Sequence, residues 1–294
     1  MESERVGVVL AATPLGNPAD ASPHLRELLA RADLVAAEDT RRLRALAARL
    51  GLEVSGQVVS FFDHNERSRV PWLVQAAANQ LVVVVSDAGL PLISDPGFEL
   101  VRAAIKAGVG LTCAPGPSAV LTALVLSGLP ADRFAFDGFV PRAPGERAAW
   151  LGGLAGERRT VVAFDSARRL AATLDDAVRR LGPGRLACVA RELTKPHQEI
   201  LRGTLAELAD LVRERDLLGE VTLVFGGAVD APLDQAGLAA EVESLVAGGE
   251  RLKDAVELVA GARSAPRRAL YQAVLAARAE RGGAPEPTPG VGVL

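Results

Sequence analysis

Short runs of apolar, often β-branched residues recur along the chain at Val6–Ala12, Leu81–Val85, Gly110–Ala114, Thr160–Phe164, Leu186–Ala190 and Glu220–Phe225. Each is five to seven residues long and bounded by polar or Gly/Pro-bearing stretches, which predicts buried strands. Between them the spacing changes to the helical period over Ser22–Ala32 and Thr40–Leu50. Asp95-Pro96-Gly97 then opens a helix over Phe98–Lys106 that must stop before Gly108. Leu170–Leu181 and Leu205–Leu217 repeat the strand-then-helix rhythm, so the predicted class is α/β with parallel or mixed sheets. Val140-Pro141-Arg142-Ala143-Pro144-Gly145 is expected to be an exposed loop.

After Phe225 the β-branched runs cease, and Leu238–Ala247, Leu252–Ala260 and Arg267–Ala279 carry helical spacing. Ser264 suits a helix N-cap and Pro266 the start of the last helix, an arrangement that admits a helix-turn-helix. The turn Pro115-Gly116-Pro117 marks a boundary between two α/β halves. The expected organisation is 1–115, an N-terminal α/β domain; 116–228, a C-terminal α/β domain; 229–281, a helical RNA-binding segment; and 282–294, a disordered tail holding three prolines and four glycines.

Composition narrows the class without naming a chemistry. With 294 residues, 49% hydrophobic and 23% charged, the chain can build about two domains. Cys113 and Cys188 lie far apart in apolar strand contexts with no C-x-x-C spacing, and are expected to be small buried hydrophobes in a reducing compartment. Met1-Glu2-Ser3-Glu4-Arg5 lacks the basic start of a signal peptide, and no apolar run reaches about 18 residues, so a cytoplasmic protein without a membrane span is expected. A net charge of −3 does not mark a nucleic-acid binder, but Arg251 to Arg281 holds seven basic residues against three acidic ones.

Two phosphate fingerprints fail. No G-x-x-x-x-G-K-[ST] occurs, and Gly182-Pro183-Gly184-Arg185-Leu186-Ala187 precedes a strand where a dinucleotide turn would follow one. Three other Gly/Pro-rich turns stand at the carboxyl ends of predicted strands, where open α/β sheets gather ligands. They are Thr13-Pro14-Leu15-Gly16-Asn17; the long turn Ser86-Asp87-Ala88-Gly89-Leu90-Pro91-Leu92-Ile93-Ser94-Asp95-Pro96-Gly97 with its two carboxylates; and Ala114-Pro115-Gly116-Pro117-Ser118, which leads into an apolar helix. Three such turns on one sheet edge point to a single small-molecule pocket. His24 and His64 are isolated from other ligand types, so no metal site is expected.

These turns, together with Ala37-Glu38-Asp39-Thr40-Arg41, Asp63-His64-Asn65-Glu66 and Ala190-Arg191-Glu192-Leu193-Thr194-Lys195, resemble the ribosomal RNA small subunit methyltransferase I family, a branch of the tetrapyrrole methylases. The resemblance runs from about Val6 to Tyr271. It implies a tetrapyrrole-methylase fold, two α/β domains with S-adenosyl-L-methionine in the cleft between them, and a homodimer. It also implies 2'-O-methylation of a cytidine ribose in the decoding region of 16S rRNA, with the small ribosomal subunit as partner. Carried over position by position, the donor pocket would hold Leu15 and Gly16; Asp87, Ala88, Gly89, Leu90 and Ile93; Ser118 and Ala119; and Leu193 with Thr222. The chain departs from the pattern at Leu90, where Thr is usual, at Asp165 in place of Glu, and at Gly226, where an acidic residue is common.

A ribose hydroxyl is a poor nucleophile, so a base within hydrogen-bond reach is required. Glu192 and Lys195 are the first candidates, with Glu38, Asp39 and His64 in reserve; lysine serves only if burial lowers its pKa. The alternative for Arg191 and Glu192 is a simple ion pair with each other. Arg41, Arg42, Arg191, Lys195, Arg267 and Arg268 suit phosphate, which the planar guanidinium binds as a fork, and Asp63–Glu66 is expected to be a loop near the RNA. Two other functions stay open: methylation of a tetrapyrrole or other small molecule, and a non-catalytic ribosome-assembly factor with a vestigial pocket. The basic helices weigh against the first and the three intact turns against the second.

Overall fold

The computed structural model describes residues 6–228, 235–262 and 265–282. The chain divides into two compact units, Met1–Ala228 and Val229–Leu294. The first contains two five-stranded sheets.

The first sheet is built from β1 (Gly7–Ala11), β2 (Leu34–Ala37), β3 (Gln57–Ser60), β4 (Leu81–Val85) and β5 (Leu111–Ala114) in the order β3-β2-β4-β1-β5. All its pairings are parallel, as in Gly7↔Leu81, Val8↔Leu111 and Leu34↔Val82. Parallel strands need helical crossovers that cover both faces. Accordingly α1 (Pro23–Arg31) and α2 (Thr40–Leu50) bury Leu25, Leu28 and Leu43 on one face, while α3 (Asp63–Ala77) and α4 (Phe98–Ala107) bury Leu73 and Leu100 on the other. The Leu-Val-Val-Val-Val of β4 is buried throughout, as a strand covered on both faces must be.

The second sheet takes β6 (Phe134–Phe139), β7 (Thr160–Ser166), β8 (Leu186–Arg191), β9 (Glu199–Thr204) and β10 (Glu220–Phe225) in the order β6-β7-β10-β8-β9. Only β6 and β7 run parallel. One face packs on α6 (Pro144–Gly153), α7 (Ala167–Leu181) and α8 (Leu205–Arg213), the other on α5 (Ala119–Ser127) through Val120, Ala123 and Leu124. The second unit holds α9 (Gln235–Ala247), α10 (Leu252–Ala262) and α11 (Arg267–Gly282), packed around Val242, Val259 and Val274.

The six predicted strands all form, within a residue or two of their expected ends. Strands β2, β3, β6 and β9 and helix α3 were not predicted. β2 is four residues with two alanines, β6 carries an Asp-Gly that imitates a turn, and α3 contains Pro71, which removes an interior backbone donor. Val140–Gly145 is a loop only to Ala143, since Pro144 occupies the first turn of α6. Cys113 is exposed on the edge strand β5, contrary to the buried position expected, because no strand of the sheet pairs with that side of β5; Cys188 is buried in β8. Ser264 and residues 283–294 lie outside the described residues. Among the described residues no helix is long and apolar enough to cross a membrane.

Candidate active site

Because the first sheet is wholly parallel, the turns after β1, β2, β4 and β5 gather on one edge. The β1 and β4 turns are tied together: the Thr13 N–H donates to Gly89 O at 2.8 Å, and the Gly89 N–H to Thr13 O at 3.0 Å. Gly89 does this at φ +85°, open to glycine and strained for a side chain. Ser118, at the end of the β5 turn, caps α5 by accepting from the Leu121 N–H.

A cavity of about 250 Å³ opens at this edge. Leu15, Asp87, Ala88, Gly89, Leu90, Ile93, Ser118 and Ala119 line it from the first sheet's turns and α5, and Leu193 and Thr222 from the second sheet's side. Ten of the eleven expected pocket residues therefore meet in one place. Gly16 does not line it: a Cβ there would come within 2.3 Å of Lys195 Cγ, so this glycine lets the β1 turn pack against the 192–195 segment. The Asn17 N–H donates to Thr194 Oγ1 across the same contact.

Glu192 and Lys195 stand outside the cavity lining. Glu192 Oε1 accepts from Lys195 Nζ at 2.8 Å and from the Glu220 N–H at 2.9 Å, and Lys195 Nζ also reaches Glu220 Oε2 at 3.0 Å. Gly219, at φ +101°, makes room for the Glu192 carboxylate, which any Cβ would strike. Burial opposes ionisation of both groups, but the hydrogen-bonded pairing prevails: the Glu192 carboxyl is lowered and the Lys195 ammonium raised. That is the opposite of the shift a lysine base needs. Arg191 and Glu192 do not pair with each other, because Arg191 turns to Glu199 at 3.2 Å and to Leu218 O.

The acidic groups that do face the cavity are Glu38, Asp87, Asp95, Asp165 and Glu220. Glu38 follows β2 and accepts from the Asp87 N–H, and Asp87 accepts from the Asp39 N–H and pairs with Arg42 at 3.2 Å. Burial raises the Glu38 and Asp87 carboxyls. Asp95 is pushed up to about 7, first by burial and then by the negative charge of Glu38. Asp95 belongs to the singled-out 86–97 turn, yet sequence offers no sign that its carboxyl faces Glu38. Phe139, Phe164, Asp165 and Ala190 are further lining residues not foreseen. Asp165, the residue standing for a Glu, is buried and accepts from Thr173 Oγ1 at 2.7 Å and the Ser166 N–H.

Asp63-His64-Asn65-Glu66 is not a loop. It is the first turn of α3, where Asn65 Oδ1 accepts from the Phe62 N–H, and the buried Glu66 carboxylate accepts from the Gly97 and Glu99 N–H groups that begin α4. Asp39 caps α2 and holds its neighbour Arg41. In the second unit Arg267 pairs with Glu257 and Arg268 is exposed, both beside Lys253 and Tyr271 in one groove.

A parallel sheet carrying an acidic cavity at its strands' carboxyl ends, closed by a mixed second sheet, defines a two-sheet α/β ligand-binding fold. The chain belongs to the tetrapyrrole (corrin/porphyrin) methylases, whose family profile matches residues 7–209. It is 56% identical over 283 residues to the ribosomal RNA small subunit methyltransferase I of Mycobacterium tuberculosis, a match covering 95% of this chain and 98% of that protein. A uroporphyrin-III-C-methyltransferase from Thermus thermophilus shares the fold with a TM-score of 0.54 at 21% identity, over 76% of this chain and 94% of that one. A structure of such an enzyme from the same organism complexed with S-adenyl homocysteine aligns with a TM-score of 0.50 at 22% identity, over 74% and 96%.

Proposed function

We propose that this chain methylates small-subunit ribosomal RNA, and that the acceptor is the ribose 2'-hydroxyl of a cytidine in the decoding region of 16S rRNA. The methyl donor is S-adenosyl-L-methionine. The observation that carries the reading is the 56% identity, spanning nearly the whole chain, to relatives named for ribosomal RNA methylation.

The cavity suits the donor chemically. Its carboxylates complement a sulfonium and an ammonium, while Leu15, Ala88, Leu90 and Ala119 supply apolar wall. The donor brings a methyl carbon already activated by sulfonium, so the protein's work is positioning and handling one proton. Asp95 is the proton acceptor in this reading, since a base is best matched with a pKa near the working pH and Asp95 sits at about 7 inside the cavity. Burial, and after it the charge of Glu38, keeps that pKa high. Glu192 and Lys195 are positioning residues that fix Glu220 in the cavity wall.

Arg41 and Arg42 near the cavity, and Arg267 and Arg268 on the helical unit, are exposed and serve as phosphate contacts, whereas Arg191 is largely buried against Glu199. A homodimer would cover apolar side chains left exposed on α5, Leu121 and Val125, and on α4, Phe98 and Ile105. From the proposed action on ribosomal RNA we infer a cytoplasmic location. The deciding experiment is transfer of radiolabelled methyl to purified small subunits, with naked rRNA and tetrapyrrole precursors alongside, followed by nucleoside analysis. Label in 2'-O-methylcytidine is the expected result; label only in tetrapyrrole overturns the RNA reading.

A further inference from the structure

The end of β6 breaks the regular ladder. Phe136 pairs with Val162, but the next pair, Phe139 with Phe164, is reached after three residues on β6 and two on β7. The extra residue is a bulge, and Gly138 accommodates it at φ +72°. Strand side chains alternate between faces, so one inserted residue moves Phe139 onto the face it would otherwise avoid. There it meets Phe164 edge to face at 5.4 Å, next to the Phe136–Phe164 contact at 4.9 Å. Phe164 holds the ring from one side, yet Phe139 remains 61% exposed and lines the cavity.

A bulge that carries a large apolar ring out of the ladder to a wet cavity wall gains little by burial. It gains something if a flat ligand covers the ring. A phenyl group has no hydrogen-bonding handle, so it stacks on any base without reading its edge. Chemistry on a nucleotide held in folded RNA also requires that nucleotide to leave its stack and be received by a new one. We propose that Phe139 is the platform on which the base of the acceptor nucleotide stacks while its ribose is presented to the donor, an inference that rests on the RNA substrate proposed above.

The test uses the full chain with Phe139→Ala, Phe139→Leu and Phe139→Trp, measuring methyl transfer against small-subunit concentration and donor affinity by calorimetry. Stacking on an aromatic is worth about 1–3 kcal/mol per base, so Phe139→Ala should lower kcat/KM for subunits by about 5- to 150-fold. Donor affinity should stay unchanged. Phe139→Leu keeps an apolar contact with Phe164 but has no ring, and should lose as much; Phe139→Trp should restore transfer. Unchanged kcat/KM in the alanine variant, or rescue by leucine, overturns the inference, as does a loss confined to donor affinity, which would give the ring to the donor's adenine. No transfer to subunits by the wild-type chain overturns the RNA reading and this one with it, whereas wild-type transfer indifferent to Phe139 overturns this one alone.

Discussion

Replacing Asp95 by asparagine tests the cavity's chemistry most directly. The side chain keeps its size and its acceptor oxygen, so the change removes a titration and little packing. With a pKa of about 7, Asp95 is about one-tenth ionised at pH 6 and about nine-tenths at pH 8. The sign follows from the cause: burial and the charge of Glu38 disfavour the carboxylate, so raising the pH creates the base and lowering it removes it. Transfer by the wild-type chain should therefore rise about tenfold between pH 6 and pH 8. Asp95→Asn should lose that limb and, as with removal of a general base, run about 10² to 10⁴ slower. The assay is single-turnover transfer at saturating donor and subunit, which separates the chemical step from the attraction of ionised Asp95 for a cationic donor. Titrations of the substrates themselves appear equally in both proteins and cancel. Glu38→Gln removes the like charge and should move the limb to lower pH. A rising limb that persists in Asp95→Asn, or a rate close to wild type, would refute the assignment.

Four further tests probe the surroundings of the cavity and the helical unit. Lys195→Met, which breaks the pairs with Glu192 and Glu220, should leave transfer at saturation within about tenfold of wild type; a loss of about 10² or more would return the ammonium to the chemistry. Gly89→Val forces a β-branched residue to φ +85° in the turn bound to Thr13, a strain of about 1–3 kcal/mol in the cavity wall, and calorimetry should show donor binding abolished; unchanged binding would sink the pocket assignment. Glu66→Ala strands the Gly97 and Glu99 N–H groups at the start of α4, costing about 2–3 kcal/mol and roughly 5–10 °C in Tm by calorimetric melting, with a smaller effect for Glu66→Gln. Arg267→Ala with Arg268→Ala should weaken RNA binding in a filter assay and flatten its salt dependence by about 0.9 for each phosphate that is no longer neutralised, with donor affinity intact.

What the chain discloses about itself depends on whether a signal is local. The strands β1 and β4 announce themselves because burial on both faces demands uninterrupted apolar runs. The pocket turns are legible for a related reason: in a parallel sheet every βα turn falls on the same edge, so their joint position follows from the shared strand direction alone. β6 is not legible, since its bulge places a Gly at positive φ inside a strand, where local pattern predicts a turn. The string Asp63–Glu66 misleads for the same reason in reverse. Its polarity is that of an exposed loop, but Asn65 and Glu66 direct it to backbone donors, one of them 31 residues away at Gly97. The proton-handling groups are the least accessible of all. Lys195 reads in the sequence as a base that burial would lower, and only the positions of Glu192 and Glu220, from a different strand, show that pairing raises it instead. Asp95 reads as one of two carboxylates in a ligand-binding turn, and its displacement to about 7 exists only because folding buries it and, after that, sets Glu38, from the end of β2, near it. A sequence names ionisable groups; their charge at working pH is a property of the neighbours that topology assigns them.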